Sequence, residues 1–420
     1  MGDYEYLNIG YKPKNDVVCL FRVEPAKGMR ITTAAKTVAL ESSTGTWTEL
    51  GTKKKYMERL AAKVFSIRGN LVKIAYPAEL FESGNAPNIL SSIAGNIFGM
   101  KAVKNLRLED ISFPKSIIRG FKGPVLGMDG IKKLMKIKDR PLLGTIIKPK
   151  LGLKTKDHAK NAYESWIGGC DFVKDDENLA SQKFNEFEER VARTLEKASQ
   201  AGEETGEKKA YLVNVTAETN EMLRRAQIVK YLGGKFIMVD MMTAGFSALQ
   251  TLRNANLKLA IHAHRAMHAA MTRNPKHGIR MIVLADFARL IGVDSLHIGT
   301  GIGKLEGGIS DVYELEEEIE SYRVKETQLR LSQNWRRIKP VLGVCSGGLH
   351  PRHVPYLIRH LGRNILIQAG GGVHWNPRGS RYGAMGMRQA IDAVMKGISL
   401  REYAETHIEL KEALEKFTEK

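Results

Sequence analysis

From residue 140 onward, short apolar and β-branched runs recur, each closing on polar or glycine residues and each followed by a helical pattern. The runs are Pro141–Pro149, Phe172–Asn178, Ala210–Ala217, Lys235–Met242 and Lys258–Ala266, then Ser295–Gly301, Val341–Gly348 and Ile365–Gly372. Strands alternating with helices at this rhythm predict parallel β/α units, and eight such units close a (β/α)8 barrel. Between them, Gln182–Gly202 and Asn220–Leu232 place apolar residues at three- and four-residue spacing, the helical period. The first 120 residues read differently: strand-like Val17–Val23 and Asn70–Tyr76 alternate with a helical piece, Lys54–Val64. The expectation is an α/β protein, with a small α+β domain at 1–122 and a TIM barrel at 123–420. Residues 401–420 are expected to form a charged amphipathic helix on the barrel's outside.

Composition narrows the class without choosing a function. Of 420 residues, 43% are hydrophobic and 26% charged, ample to bury a core and unlike a disordered chain. No apolar run approaches the ~18–20 residues of a membrane span, and Met1–Asn15 lacks the apolar segment of a secretory signal. Cys19, Cys170 and Cys345 lie far apart, which argues against a disulfide framework and fits a reducing cytoplasm. The net charge of +19 has three readings: nucleic-acid binding, a highly anionic small substrate, or a basic proteome. Its densest runs, Lys53-Lys54-Lys55 and Lys132, Lys133, Lys136, Lys138, are not interleaved with aromatics, and no nucleic-acid-binding signature accompanies them.

Barrel enzymes carry their chemistry at the C-terminal strand ends. The first run ends with Lys148 and Lys150, which alternation places on one face. Two lysines in one mouth repel and favour acid–base work or anion binding; two solvated surface lysines are the plainer reading. The second run ends Lys174-Asp175-Asp176-Glu177. Two carboxylates so close suit a hard oxygen-ligated ion such as magnesium, although a salt bridge at a strand end fits the same motif. The fifth run carries His262, His264 and His268 beside Arg265, a natural phosphate fork. His-x-His is also a zinc motif, but here the carboxylates come on an earlier strand.

The sixth run leads from His297 into Gly299, Gly301 and Gly303, which predict a mobile loop carrying Lys304 over the site. It is no phosphate-binding P-loop, because Leu305 stands where Ser or Thr is required. The last two runs end Ser346-Gly347-Gly348 and Gly370-Gly371-Gly372, where barrels commonly seat a phosphate on backbone N–H groups. With Arg265, His297 and Ser346, these glycines suggest two phosphate sites and hence a bisphosphate substrate.

Taken together, these motifs resemble the large subunit of ribulose-1,5-bisphosphate carboxylase/oxygenase (Rubisco) over nearly the whole chain. The resemblance rests on Glu41-Ser-Ser-Thr-Gly-Thr-Trp47, Gly95-Asn-Ile-Phe-Gly99, Gly144–Leu153 and Gly169–Asn178, then His262–Ala269, His297–Gly307, Ser346–Gly348 and Gln368–Gly372. It implies that Lys174 is carbamylated by an activator CO2 and binds Mg2+ with Asp176 and Glu177. It also implies that ribulose 1,5-bisphosphate is carboxylated, with competing oxygenation by O2, to 3-phosphoglycerate through an enediolate formed at that lysine. Lys304 would close over the added CO2, Lys148 tuned by Lys150 would protonate the final carbanion, and His264 would serve hydroxyl proton transfers. One phosphate would sit on Thr46, Trp47, Gly348, Gly370 and Gly371, near Gly347; the other on Arg265, His297 and Ser346.

The short chain and the lid Gly299–Gly307 are similar to the archaeal, form III-like type, which suggests a role in AMP salvage or carbon fixation. The resemblance further implies a homodimer at minimum, open to a larger assembly of dimers, without a small subunit, membrane or specific nucleic acid. Glu41, Thr46, Trp47 and Asn96 would then reach the active site of the neighbouring subunit. One departure stands out: where the family commonly has Gly-His-Pro, this chain has Trp375-Asn376-Pro377-Arg378, so Arg378 is expected to add charge near a phosphate. The alternatives are a Rubisco-like enolase or isomerase of sulfur salvage, and a basic nucleic-acid-binding protein. Against the first, Glu41, Asn96, Lys148 and Lys304 are all of the carboxylase's type.

Overall fold

The computed structural model describes residues 6–46, 48, 50–303 and 307–418. The chain divides into two compact units, one of residues 1–123, 267–292 and 321–338, the other of 124–266, 293–320 and 339–420.

The first unit is built on a five-stranded sheet. Asp16–Pro25 pairs antiparallel with both Leu71–Pro77 and Val103–Ser112. Lys63–Arg68 extends one edge, and the two-residue strand Gly278–Ile279 extends the other in parallel. Helix Ile31–Glu41 buries Ala34, Ala35, Val38 and Ala39, the three- and four-residue spacing of a one-faced helix. Helix Met281–Ile291 is buried from Ile282 to Ile291, as its nearly continuous apolar sequence requires. Beside it, Arg289 stacks 4.6 Å over the buried Trp335 ring, and Phe113 meets Phe287 edge-on at 5.4 Å. The helix expected over Lys54–Val64 is not formed. Lys55–Leu60 is a 3-10 stretch, and Lys63–Arg68 is a strand. That strand turns through Gly69-Asn70, with Arg68 opposite Leu71, and Gly69 takes a φ of 60°. A two-residue hairpin of this kind outweighs the local helical spacing.

The second unit is the expected barrel of eight parallel strands: Leu142–Ile146, Phe172–Lys174, Ala210–Asn214, Phe236–Asp240, Ala260–His264, Ser295–His297, Leu342–Ser346 and Ile365–Gln368. Every strand falls inside one of the eight runs. The N-terminal end is closed by helix Gly127–Met135, whose Met128, Ile131 and Met135 join Leu142, Phe172 and Phe236 in one core. Phe172 and Phe236 meet edge-on at 5.2 Å, and truncating either to Ala would cost roughly 3–5 kcal/mol. Asp294 fastens this end: one carboxylate oxygen accepts the N–H groups of Leu126 and Gly127, the other that of Ile261 and the Arg253 guanidinium at 2.6 Å. With the floor packed, the polar residues at the opposite strand ends are free to serve chemistry.

The helices after the second and third strands run Phe187–Thr205 and Thr219–Tyr231. The terminal segment forms two short helices, Leu400–Tyr403 and Ile408–Lys416. Among the described residues no helix is long and apolar enough to cross a membrane.

Candidate active site at the barrel mouth

The second strand ends on Lys174, whose side chain is fully buried. Its ammonium donates to the Asp175 carbonyl at 2.7 Å, lies 3.2 Å from the Met238 sulfur, and stands 3.7 Å from Glu177 Oε2. One carbonyl and a thioether are poor substitutes for water, so burial pushes the lysine pKa down; Glu177, Asp176 and Asp240 oppose that only in part. A buried lysine with a lowered pKa has its nucleophilic neutral form within reach.

Asp176 and Glu177 follow, each with its own lysine. The strand before them ends at Ile146, so the alternation expected to align Lys148 and Lys150 does not extend to these residues. They converge nonetheless. Lys148 Nζ lies 2.6 Å from Asp176 Oδ2, and Lys150 Nζ lies 3.4 Å from Glu177 Oε1. Burial would raise the Glu177 pKa, but Lys174, His264 and Lys150 outweigh it and hold the carboxyl at about 2.

Asp175, between these functional candidates, is engaged in a separate buried network. Its carboxylate accepts the Tyr211 hydroxyl at 2.5 Å and the Asn214 N–H at 3.0 Å, with His158 Nε2 at 3.2 Å and Arg190 Nε at 3.5 Å. Burial raises its pKa; Arg190, His158 and Tyr211 reverse that and bring it to about 2. The Asn214 amide meanwhile donates to the carbonyls of Glu177 at 3.1 Å and Leu179 at 3.0 Å. The strand end is thus pinned from behind, which fixes where Lys174 and Asp176 project.

Three histidines line the next sector. His264 Nε2 is 3.7 Å from Glu177, and its Nδ1 is 2.8 Å from Asp240 Oδ1 while also in range of the Ala266 N–H at 3.2 Å. Nδ1 can accept from Ala266 or, when protonated, donate to Asp240; this choice sets the tautomer. The His297 ring centroid is 4.7 Å from those of both His264 and His262. Burial drives the pKa of His262 and His297 well below the usual imidazole range, and nearby positive groups lower it further. Both are therefore neutral near pH 7. His262 Nδ1 is 3.0 Å from the Ser295 hydroxyl, whereas His297 Nε2 has no hydrogen-bond partner among the described residues.

Gly299 makes room for Arg265: a Cβ there would lie 2.8 Å from its guanidinium, and the backbone holds a φ of 98°. At the seventh strand end stand Ser346, Gly347 and Gly348; after the eighth, Gly370 opens the short helix Gly371–His374. Gly370 is backed by Lys148, whose Cε would sit 3.0 Å from an added Cβ. The glycine turns and Lys148 thus share one sector of the mouth. Arg378, expected beside a phosphate, is spent elsewhere. It lies 2.6 Å from Glu412 on the terminal helix and 4.1 Å over the Tyr382 ring. Trp375 meets Phe417 edge-on at 5.3 Å, so Trp375–Arg378 anchors the chain's end.

Lys304 and Trp47 lie outside the described residues. Glu41, Thr46 and Asn96 belong to the first unit: Glu41 ends helix Ile31–Glu41, and Asn96 opens a 3-10 turn. Sequence reading missed Asp240, Asn214, Tyr211, His158 and Arg190. Asp240 and Asn214 carried a usable signal, a polar residue closing an apolar run; His158 and Arg190 are hidden among other polar residues of their helices, and Tyr211 lies inside an apolar run.

A closed parallel barrel with lysines, carboxylates and histidines converging at its strand ends defines a barrel enzyme of lysine–carboxylate chemistry. Residues 127–417 match the catalytic domain of the ribulose bisphosphate carboxylase large chain, and residues 5–117 match its N-terminal domain. The chain belongs to the ribulose bisphosphate carboxylase large chain family. It is 50% identical to the ribulose bisphosphate carboxylase of Methanocaldococcus jannaschii, covering 98% of this chain and 99% of that one. Among solved structures it is similar to the dimeric archaeal Rubisco of Hyperthermus butylicus, with a TM-score of 0.92, 47% identity and 98% of each chain covered. It is also similar to the octameric Rubisco of Pyrococcus horikoshii, with a TM-score of 0.91, 45% identity and coverage of 98% and 96%.

Proposed function

We propose that this protein carboxylates ribulose 1,5-bisphosphate with CO2, with oxygenation as the competing reaction, and that its chemistry is centred on Lys174. The observation that carries this reading is the buried, under-solvated Lys174 amine beside Asp176 and Glu177, on a chain half identical to a carboxylase along its whole length. The relatives' names favour this activity over the sulfur-salvage alternative and over nucleic-acid binding.

The residues fit a magnesium ion on one condition. Among the described residues no group of three or more His, Cys, Asp and Glu side chains is placed to hold a metal. Asp176 and Glu177 supply two carboxylates; neutral Lys174 attacking CO2, with loss of one amine proton, supplies the third oxygen donor as a carbamate. Such an all-oxygen set suits Mg2+. When bound, the ion polarises the substrate's ketone and neighbouring hydroxyl, acidifying the carbon between them.

Other side chains handle binding and protons. Lys148 Nζ holds the proton delivered to the carbanion after carbon–carbon cleavage, with Lys150 tuning it. His264 Nε2 moves a substrate hydroxyl proton, its Nδ1 oriented by Asp240. Lys304 would stabilise the new carboxylate. Arg265, His297 and Ser346 bind one phosphate; Gly347, Gly348, Gly370 and Gly371, with Thr46 and Trp47 of a second subunit, bind the other. Glu41 and Asn96 would come from that same subunit. The dimeric and octameric relatives support such an assembly.

The test is carboxylation of ribulose bisphosphate with magnesium and labelled bicarbonate, after preincubation with and without CO2 and magnesium. Acid-stable label in 3-phosphoglycerate, raised by preincubation and absent in Lys174→Ala, is expected. Unaltered activity in Lys174→Ala would remove the metal assignment, and absence of labelled product in the activated protein would overturn the reaction.

A further inference from the structure

The first unit holds a cavity of about 410 Å³ whose charged lining residues are all cationic: Lys14, Lys115, Arg323 and Arg336. No carboxylate lines it, and none of the four side chains forms an ion pair among the described residues. Asp16, close by in sequence, is buried and already accepts the Tyr11 hydroxyl and the Lys14 N–H. Four like charges around one hollow repel one another, and an anion relieves that cost.

The cations stand on walls that are fixed in place. Arg323 lies directly opposite Asn334 in the hairpin Arg323–Val324/Gln333–Asn334. The buried Gln333 amide is held by the Phe113 backbone, accepting its N–H at 2.7 Å and facing its carbonyl at 3.4 Å. Ser112 donates to the Ser332 carbonyl at 2.8 Å, so the hairpin and the end of strand Val103–Ser112 are joined. Asn15 accepts the Ser116 hydroxyl at 2.6 Å, which ties the Lys14 loop to the start of helix Lys115–Arg119. Arg336 takes a φ of 54°, rare for a side-chain-bearing residue, with the Asn334 side chain capping its N–H at 3.1 Å. That left-handed turn is a locally costly conformation, and it sits where it places the fourth cation on the cavity.

We propose that this cavity binds a small polyphosphate-bearing anion, at a site that shares no lining residue with the barrel strand ends. Two guanidinium forks with two ammonium groups match several phosphates better than one carboxylate. The volume lies within the usual range of small-ligand sites.

The experiment uses the full-length protein at about 0.15 M salt, where distant surface charges are screened. Hydrogen exchange is mapped with and without tripolyphosphate, and in a second arm with ATP. Protection of residues 323–336 and 112–116 is expected. Arg323→Glu/Arg336→Glu should weaken binding to this region at least tenfold, leave exchange around 297–303 unaffected, and keep the basal carboxylation rate. Lys14→Glu, on a different element, should weaken it in the same direction. Equal protection by both ligands assigns recognition to the phosphates alone; tighter ATP binding adds the nucleoside. Protection confined to the barrel mouth, no protection at millimolar ligand, or equal binding by both charge-reversed proteins would overturn the site.

Discussion

Lys148 and Asp176, the functional candidates of two neighbouring strand ends, are joined by a 2.6 Å ion pair. The carboxylate is almost wholly buried, whereas the lysine side chain is 28% exposed and leans against Gly370. One lysine side chain therefore pairs with the carboxylate proposed to hold a metal and runs its methylenes past the glycine turn proposed to hold a phosphate. Lys148→Met should lower turnover by on the order of 10²–10⁴, the usual weight of a positioned proton donor. Because the deletion leaves the buried Asp176 carboxylate without this partner, the stability loss should be roughly 1–3 kcal/mol. Turnover and thermal midpoint measured on the same sample check this; a variant that turns over normally removes Lys148 from the proton path.

Gly299 tests the Arg265 phosphate fork without touching it. A methyl group there meets the guanidinium at 2.8 Å, and the 98° φ disfavours any side chain. In Gly299→Ala the arginine must swing away. KM for the bisphosphate should rise about 10–100-fold, the worth of one or two charge-assisted hydrogen bonds. Turnover at saturation should fall less than the KM rises. Steady-state kinetics decide the point, since an unchanged KM would show that Arg265 does not bind substrate.

His374 supplies a pH prediction. Its Nδ1 is 2.7 Å from the Ser380 hydroxyl and its Nε2 is 3.1 Å from that of Thr145. Burial holds its pKa at about 4, with Lys148 adding to the effect against a backbone contact at Ile146. The folded value is thus depressed below the unfolded value of about 6.5. Between those pH values the unfolded chain binds more protons, so stability falls as pH drops from about 6.5 towards 4, and is unaffected above that window. At pH 5 the loss reaches at most ~2 kcal/mol. His374→Gln should be less stable than the parent at pH 7.5 and approach it at pH 5. Melting curves at both pH values test this; a gap that does not narrow rules out His374 as the source.

The barrel was legible in the sequence because each strand announces itself twice, by an apolar run and by the polar or glycine residues that end it. The grouping of Lys174, Asp176 and Glu177 was legible for a related reason: a lysine followed by three consecutive carboxylates closes the apolar run. The helical spacing of Lys54–Val64 misled, because strand pairing across Gly69-Asn70 is a tertiary gain that the local pattern does not contain. The support behind Asp175 was illegible for the same reason. His158, Arg190 and Tyr211 come from three separate elements, and only closure of the barrel brings them to one carboxylate. The fate of Arg378 was equally hidden, since Glu412 lies 34 residues further along.

Glu41 tests whether the active site is shared between chains. It belongs to the first unit, and it is proposed to serve the barrel of a second copy rather than its own. Such an arrangement fits the isologous interface of a two-fold dimer, in which each chain gives and receives the same residues. Lys174→Ala and Glu41→Gln should each be inactive alone. In a mixed dimer one site combines the Lys174→Ala barrel with the Glu41→Gln first unit and carries both defects. The other site carries neither. Co-expressed and isolated by two different affinity tags, the mixed dimer should recover about half the parent's activity. If each site were instead built within one chain, both sites would keep one defect and the mixed dimer would stay dead. A mixed dimer that forms without regaining activity, or a stable monomer that turns over, would sink the shared site.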